Sequence, residues 1–181
     1  MTPNAEPGWP GWTAERTLVL PIDADTWPPP FAPIELDGIA FRPKDELHVT
    51  LVGKALGRQL HDTLGERFRT CAVRAAFEAL DWRMRRTGEL RRLEKTVRLK
   101  SGEARTVGAI IELVEMPALA KFHRALGDLL GRRLPVPPAH VTLYTHNRDD
   151  GIGVPGPAKL RAWTVRRVRA EEIAAAEPMV S

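Results

Sequence analysis

Five histidines are spread through the 181-residue chain, and two of them open the same tetrapeptide. His-Val-Thr-Leu stands at 48–51 and again at 140–143. With 13 threonines available, an apolar-flanked His-x-Thr follows a given histidine by chance in roughly one case in a hundred. Two among five then arise in about a few cases per thousand. Side chains two apart on a strand share a face, ~6–7 Å apart, so His48 points with Thr50 and His140 with Thr142. Val49, Leu51, Val141 and Leu143 then pack into the opposite layer. An imidazole titrating near ~6.5 can take up or deliver a proton close to neutrality. A hydroxyl can donate to a negatively charged oxygen. Breaking a phosphodiester needs these parts: a base for the attacking oxygen, an acid for the leaving oxygen, and donors for the non-bridging oxygens. The scheme calls for no metal and no cofactor.

The elements that must hold these residues follow from the same sequence. Residues 47–52 read as a strand rich in β-branched side chains and ended by Gly53. Residues 140–145 read as a second, led in by the prolines of 135–138. A helix is expected over 54–68, where Leu56, Leu60, Leu64 and Phe68 make one stripe. Another is expected over 117–130, opened by Pro117, faced by Leu119, Phe122, Leu126, Leu129 and Leu130, and ended at Gly131. Further strands are expected at 16–22, 75–86, 93–99, 106–114 and 160–169. The prolines between Asp23 and Pro33 forbid a helix, so 23–46 reads as a long loop. The pattern predicts an α+β or mixed-sheet fold. It occupies one domain over 16–170, preceded by an extended arm at 1–15 and followed by a tail at 171–181.

The segments ELHVTLVG (46–53) and PAHVTLYT (138–145) resemble the paired His-x-Thr signatures of the two-histidine (2H) phosphoesterase superfamily. That family includes 2′-5′ RNA ligase-like proteins and cyclic nucleotide phosphodiesterases. The resemblance implies a bilobal α+β fold with two pseudo-symmetric antiparallel or mixed sheets, helices outside and a central cleft. It implies that His48 and His140 are the acid–base pair and that Thr50 and Thr142 bind phosphate. The implied substrate is a nucleotide or RNA carrying a phosphodiester, with a 2′,3′-cyclic phosphate as the leading candidate. The proline-rich 23–46 departs from the pattern, standing where a first-lobe helix is expected.

Around the motifs, Tyr144 and His146 continue the alternation from His140 and are expected on the cleft side, Tyr144 as a possible substrate contact. Lys44, Arg91, Arg92 and Lys95 are cations that could approach a phosphate, and Trp27 or Phe31 could stack on a base. His61 and His123 read as surface or boundary residues. Between 83 and 100 the chain is dense in Arg and Lys, with only Glu89 and Glu94 acidic, whereas the whole chain carries a net charge of +4. A local basic patch suits a phosphate-bearing partner. A single cysteine, Cys71, excludes an internal disulfide. The first residues lack the charged start and apolar run of a signal peptide, and no stretch has the length of a membrane span. A cytoplasmic monomer is expected.

Two other functions fit the residues. One is a module of the same fold that binds RNA ends or nucleotides without chemistry. The other is a metal site of His48, His140 and His146, disfavoured because 140 and 146 lie ~20 Å apart on an extended strand.

Overall fold

The computed structural model describes residues 7–176 of the chain. Within them the chain is α+β: five helices and one eight-stranded antiparallel sheet. The strands are β1 (Leu18–Pro21), β2 (Ile34–Leu36), β3 (Ile39–Pro43), β4 (His48–Val52), β5 (Arg85–Arg98), β6 (Ala104–Glu115), β7 (His140–His146) and β8 (Thr164–Val168). The helices are α1 (Lys54–Leu64), α2 (Glu66–Glu78), α3 (Pro117–Leu130), α4 (Pro157–Trp163) and α5 (Ala170–Ala176). The sheet runs β1-β4-β7-β6-β5-β8, and β3 also pairs with β7.

One face of the sheet carries the main apolar cluster. Val49, Leu51, Val141 and Leu143 meet Leu60 of α1, Val73 and Phe77 of α2, and Leu119, Phe122 and Leu126 of α3. A smaller cluster joins Leu93, Val107, Ala109 and Ile111 of β5 and β6 to Ile152, Val154 and Leu160. At about 1.5–3 kcal/mol for each fully buried aliphatic side chain, the alternate residues of β4 and β7 are firmly seated in the main layer.

Several expectations change. The helix expected over 54–68 ends at Leu64, because Gly65 leaves the helical region (φ 72°). A second helix begins there, and Phe68 is exposed. The strand expected at 75–86 is the end of α2, whose buried Arg69, Val73 and Phe77 recur every four residues. Extended structure starts only at Arg85. The strand expected over 160–169 is α4 followed by β8, and part of the tail is α5. The long loop of 23–46 contains the β2–β3 hairpin, turned by Asp37 and Gly38 with φ of 57° and 73°. Two successive positive φ values are what a two-residue hairpin turn requires, and Asp-Gly supplies them cheaply.

Residues 1–6 of the expected arm and 177–181 of the tail lie outside the described residues. From Trp9 onward the arm is part of the domain. Trp9 meets Phe77 edge-on, Trp12 receives the Arg69 guanidinium on its ring, and Trp12 bridges to Leu18.

Candidate active site

β4 and β7 are neighbours, and they touch at a single backbone pair, Val49 opposite Val141. Antiparallel partners one step either side of that pair are 48 with 142 and 50 with 140. Since directly opposed residues share a face, and Val49 and Val141 are both buried in the main cluster, the other four side chains point away from it together. His48 lies beside Thr142, and Thr50 beside His140. The two histidines occupy one diagonal and the two threonines the other, with diagonal neighbours ~7–8 Å apart.

The flanking strands extend both rows. Pro21 lies opposite His48 and Val19 opposite Thr50. On the other side Ile111 lies opposite Thr142 and Leu113 opposite His140. Arg91 follows Ile111, so this cation stands in the row of His48 and Thr142, with its guanidinium held by Glu89.

The two imidazoles differ in surroundings. His140 is buried (8% exposed), and its Nδ1 donates to the Pro138 carbonyl at 2.8 Å. Burial pushes its pKa below the ordinary value, against backbone hydrogen bonds to Pro138 and Ile152 that favour the protonated ring. His48 is half-buried. Its pKa is also lowered, first by burial, then by the charges of Lys44 and His140, with Glu46 and Asp150 opposing. Each ring therefore gives up its proton more readily than a free histidine. Among the described residues, neither threonine hydroxyl is engaged by another protein group.

The segment after β7 closes one side. Lys44 Nζ donates to the Asp149 carbonyl at 2.7 Å, and Arg42 pairs with the Asp149 carboxylate at 3.3 Å. The chain thereby returns across the motif, where a Cβ built on Gly151 would stand 2.6 Å from Thr142 Oγ1. That approach admits only glycine without a shift. Lys44 reaches this place because β3 and β4 follow one another along the same edge of β7. Pro43 lies opposite Tyr144, and the Lys44 amide donates to the Leu143 carbonyl.

Tyr144 does not join the motif residues. β7 carries a bulge, with Ile110 opposite Tyr144 but Ile111 opposite Thr142. The extra residue breaks the alternation, and Tyr144 is 1% exposed in the main cluster. The same bulge turns His146 against Phe41, with its Nδ1 donating to the Ala40 carbonyl. His146 thus leaves His48 and His140. Among the described residues no three His, Cys, Asp or Glu side chains are grouped to hold a metal ion.

His123, expected at the surface or boundary, is buried at 3% exposure, and its Nε2 donates to the Leu51 carbonyl of β4. Burial lowers its pKa. Trp27 is buried beneath the Arg86 guanidinium, 3.9 Å from its ring centre, while Arg86 pairs with the buried Glu112. Trp27 therefore anchors the proline segment, whereas Phe31 is 69% exposed. Arg92 lies on the opposite face from Arg91, paired with Asp37 and Glu94. Sequence reading missed Gly151, Asp149 and Asp150, for which the only cue was a Gly/Pro-rich stretch directly after the second motif.

A hollow of about 510 Å³ lined by Arg124, Gly127, Arg132 and Val136 lies at the end of α3 and includes none of the motif residues. Its lining carries Arg124, Asp128, Arg132 and Arg133 but no histidine, whereas β4 and β7 bring two imidazoles onto one face. No family model matches the chain, and comparison with curated proteins and with solved structures finds no match either.

Proposed function

We propose that the chain is a metal-independent phosphoesterase of the 2H type, acting as a cytoplasmic monomer on a nucleotide or RNA end. Its substrate would be a 2′,3′-cyclic phosphate. The observation that carries this reading is the Val49–Val141 bridge, whose register puts His48, Thr50, His140 and Thr142 on one face with the two imidazoles diagonal. Within the same reading, β1 and β4 with α1 and α2 form one lobe, and β5–β8 with α3 the other. The two lobes meet at that bridge, and the open face between them is the cleft.

With the phosphorus above the centre of the four residues, both threonine hydroxyls donate to its non-bridging oxygens. His48 is the base: its lowered pKa leaves the ring neutral, and the nearby Lys44 charge keeps it so. It takes a proton from water as the water oxygen bonds to phosphorus. His140 is the acid: its Nδ1 is tied to the Pro138 carbonyl, which leaves Nε2 to carry the proton, and the substrate's negative charge offsets the burial that lowers its pKa. Its proton goes to the ribose oxygen as the phosphorus–oxygen bond breaks, leaving a phosphomonoester and a free hydroxyl.

The test is incubation of purified protein in excess chelator with 2′,3′-cyclic mononucleotides, ADP-ribose cyclic phosphate, and 2′-5′ and cyclic oligonucleotides. The expected outcome is opening of a 2′,3′-cyclic phosphate to a monoester. Saturable binding with no product across the set sinks the reading in favour of the binding module.

A further inference from the structure

The smaller apolar cluster ends in a group of charges that the chemistry at β4 and β7 does not use. Lys95 stands on β5 opposite Val107, whose side chain belongs to that cluster. Ile111 belongs to it too and lies opposite Thr142. Lys95 therefore leaves the sheet on the face that carries His48 and His140. Its ammonium lies 4.7 Å from the centre of the Trp163 ring, and Lys159 Nζ lies 5.6 Å from the same ring. Arg148, just past the end of β7, is close enough for its charge to lower the Lys95 pKa, second to burial. The Nε of Arg148 is buried without a hydrogen-bond partner among the described residues.

Several cations on the same strands are neutralised, whereas Arg98 on β5 is exposed and has no ion pair among the described residues. Glu89 pairs with Arg91 and Arg167, Asp37 with Arg92 and Arg166, and Glu112 with Arg86. Among the described residues no ion pair involves Lys95, Arg148 or Lys159. Like charges gathered where water is partly excluded repel one another, and an anion relieves that repulsion. A phosphate fits the donors: its non-bridging oxygens accept from two ammonium groups and a guanidinium at once. The Trp163 ring orients the ammonium groups.

The position suggests which phosphate. Val107 is four residues along β6 from Ile111, and β5 is two strands from β7. At ~3.4 Å per residue and ~4.8 Å between strands, the Lys95 backbone is roughly 17 Å from that of Thr142. One mononucleotide held at the histidines does not reach that far, whereas a strand of a few nucleotides does.

We propose that Lys95 and Lys159, both set against Trp163, together with Arg148 beside Lys95, form a subsite for a backbone phosphate of a single-stranded RNA whose reacting end lies at His48 and His140. The placing of that end rests on the phosphoesterase reading, while the subsite rests on its own charges.

The two are separable by experiment. Binding of a labelled short single-stranded RNA ending in a 3′-phosphate is followed by anisotropy over a range of salt. Wild type is compared with Lys95→Gln/Arg148→Gln. Turnover of a cyclic mononucleotide and of the same RNA ending in a cyclic phosphate is measured alongside. The double variant is expected to bind the RNA about tenfold more weakly at low salt. Its slope of log K against log salt should be flatter by about 0.7 for each phosphate that the variant no longer neutralises, with mononucleotide turnover unchanged. Equal affinity and equal slope in the two proteins overturn the subsite, whatever happens at the histidines. If wild type turns over neither ester yet binds the RNA through Lys95 and Arg148, the phosphoesterase reading fails and the subsite stands. Should the double variant fold poorly, Lys159→Gln on the exposed side of α4 is expected to weaken RNA binding about threefold, and its having no effect overturns the subsite.

Discussion

The two copies of His-Val-Thr-Leu are identical in sequence and unlike in setting. On β4, His48 is half-buried among charges: Lys44, Glu46 and Asp150 all act on it. On β7, His140 is buried, and its partners are backbone groups. Thr142 has Gly151 pressed against it, and no glycine Cβ position approaches Thr50. A repeated tetrapeptide therefore specifies a face and a spacing, while the character of each imidazole comes from the chain that returns over it. Under the proposed mechanism, that difference is what divides acid from base between two identical sequences.

The sharpest way to break the comparison is to remove the rings. His48→Ala and His140→Ala are each expected to lower kcat by about 10²–10⁴, the usual worth of a positioned acid or base. If the two act as a unit, as proposed, the double variant should lose little more. An ester with a good leaving group needs no acid, so it should restore most of the rate to His140→Ala and little to His48→Ala. Equal rescue of both variants in steady-state assays would erase the assigned roles.

Next in size are the hydroxyl donors. Thr50→Val and Thr142→Val each remove a donor to the transition-state oxygens, with an expected loss in kcat of about 10²–10³. Gly151→Ala acts on one copy alone. The added methyl must displace Thr142 or the loop, and kcat/KM is expected to fall about tenfold. Unchanged kinetics in Gly151→Ala would show that the loop yields without disturbing Thr142.

The smallest effect is in pH. Both imidazoles sit below the ordinary histidine value of ~6.5, and the proposed mechanism needs one protonated ring and one neutral ring. The kcat/KM profile of the free enzyme is therefore expected to peak below pH ~6.5. Lys44→Gln removes a positive charge that lowers the His48 pKa, so that pKa rises. With His48 as the base, the acid limb should move to higher pH by less than about one unit while the alkaline limb stays. Movement of the alkaline limb instead would exchange the two roles.

Much of the site was legible before the fold. Period two on a strand sets His48 with Thr50 and His140 with Thr142 against buried Val and Leu, and both strands lie where the pattern places them. The Pro117–Gly131 helix was equally legible, because proline and glycine punctuate it. The β2–β3 hairpin carried a readable signal in Asp37–Gly38 that the surrounding prolines masked. The end of α2 was misread because the alanines at 75, 76 and 79 gave no decisive period, and its buried Arg69 and Phe77 are recognisable as a stripe only once the helix is known. Tyr144 failed for another reason: a bulge leaves no mark in alternating residues.

By itself the amino-acid order determined which side chains share a face, since that follows from the geometry of one strand. It also determined that two equivalent imidazole–hydroxyl pairs exist. Only the tertiary structure decided that β4 and β7 lie edge to edge with Val49 opposite Val141, that β7 bulges before Tyr144, and that Lys44, Asp150 and Gly151 crowd the two copies differently. These outcomes depend on pairing between segments far apart in the chain, and such pairing is set by how the whole apolar layer packs rather than by any local run of residues.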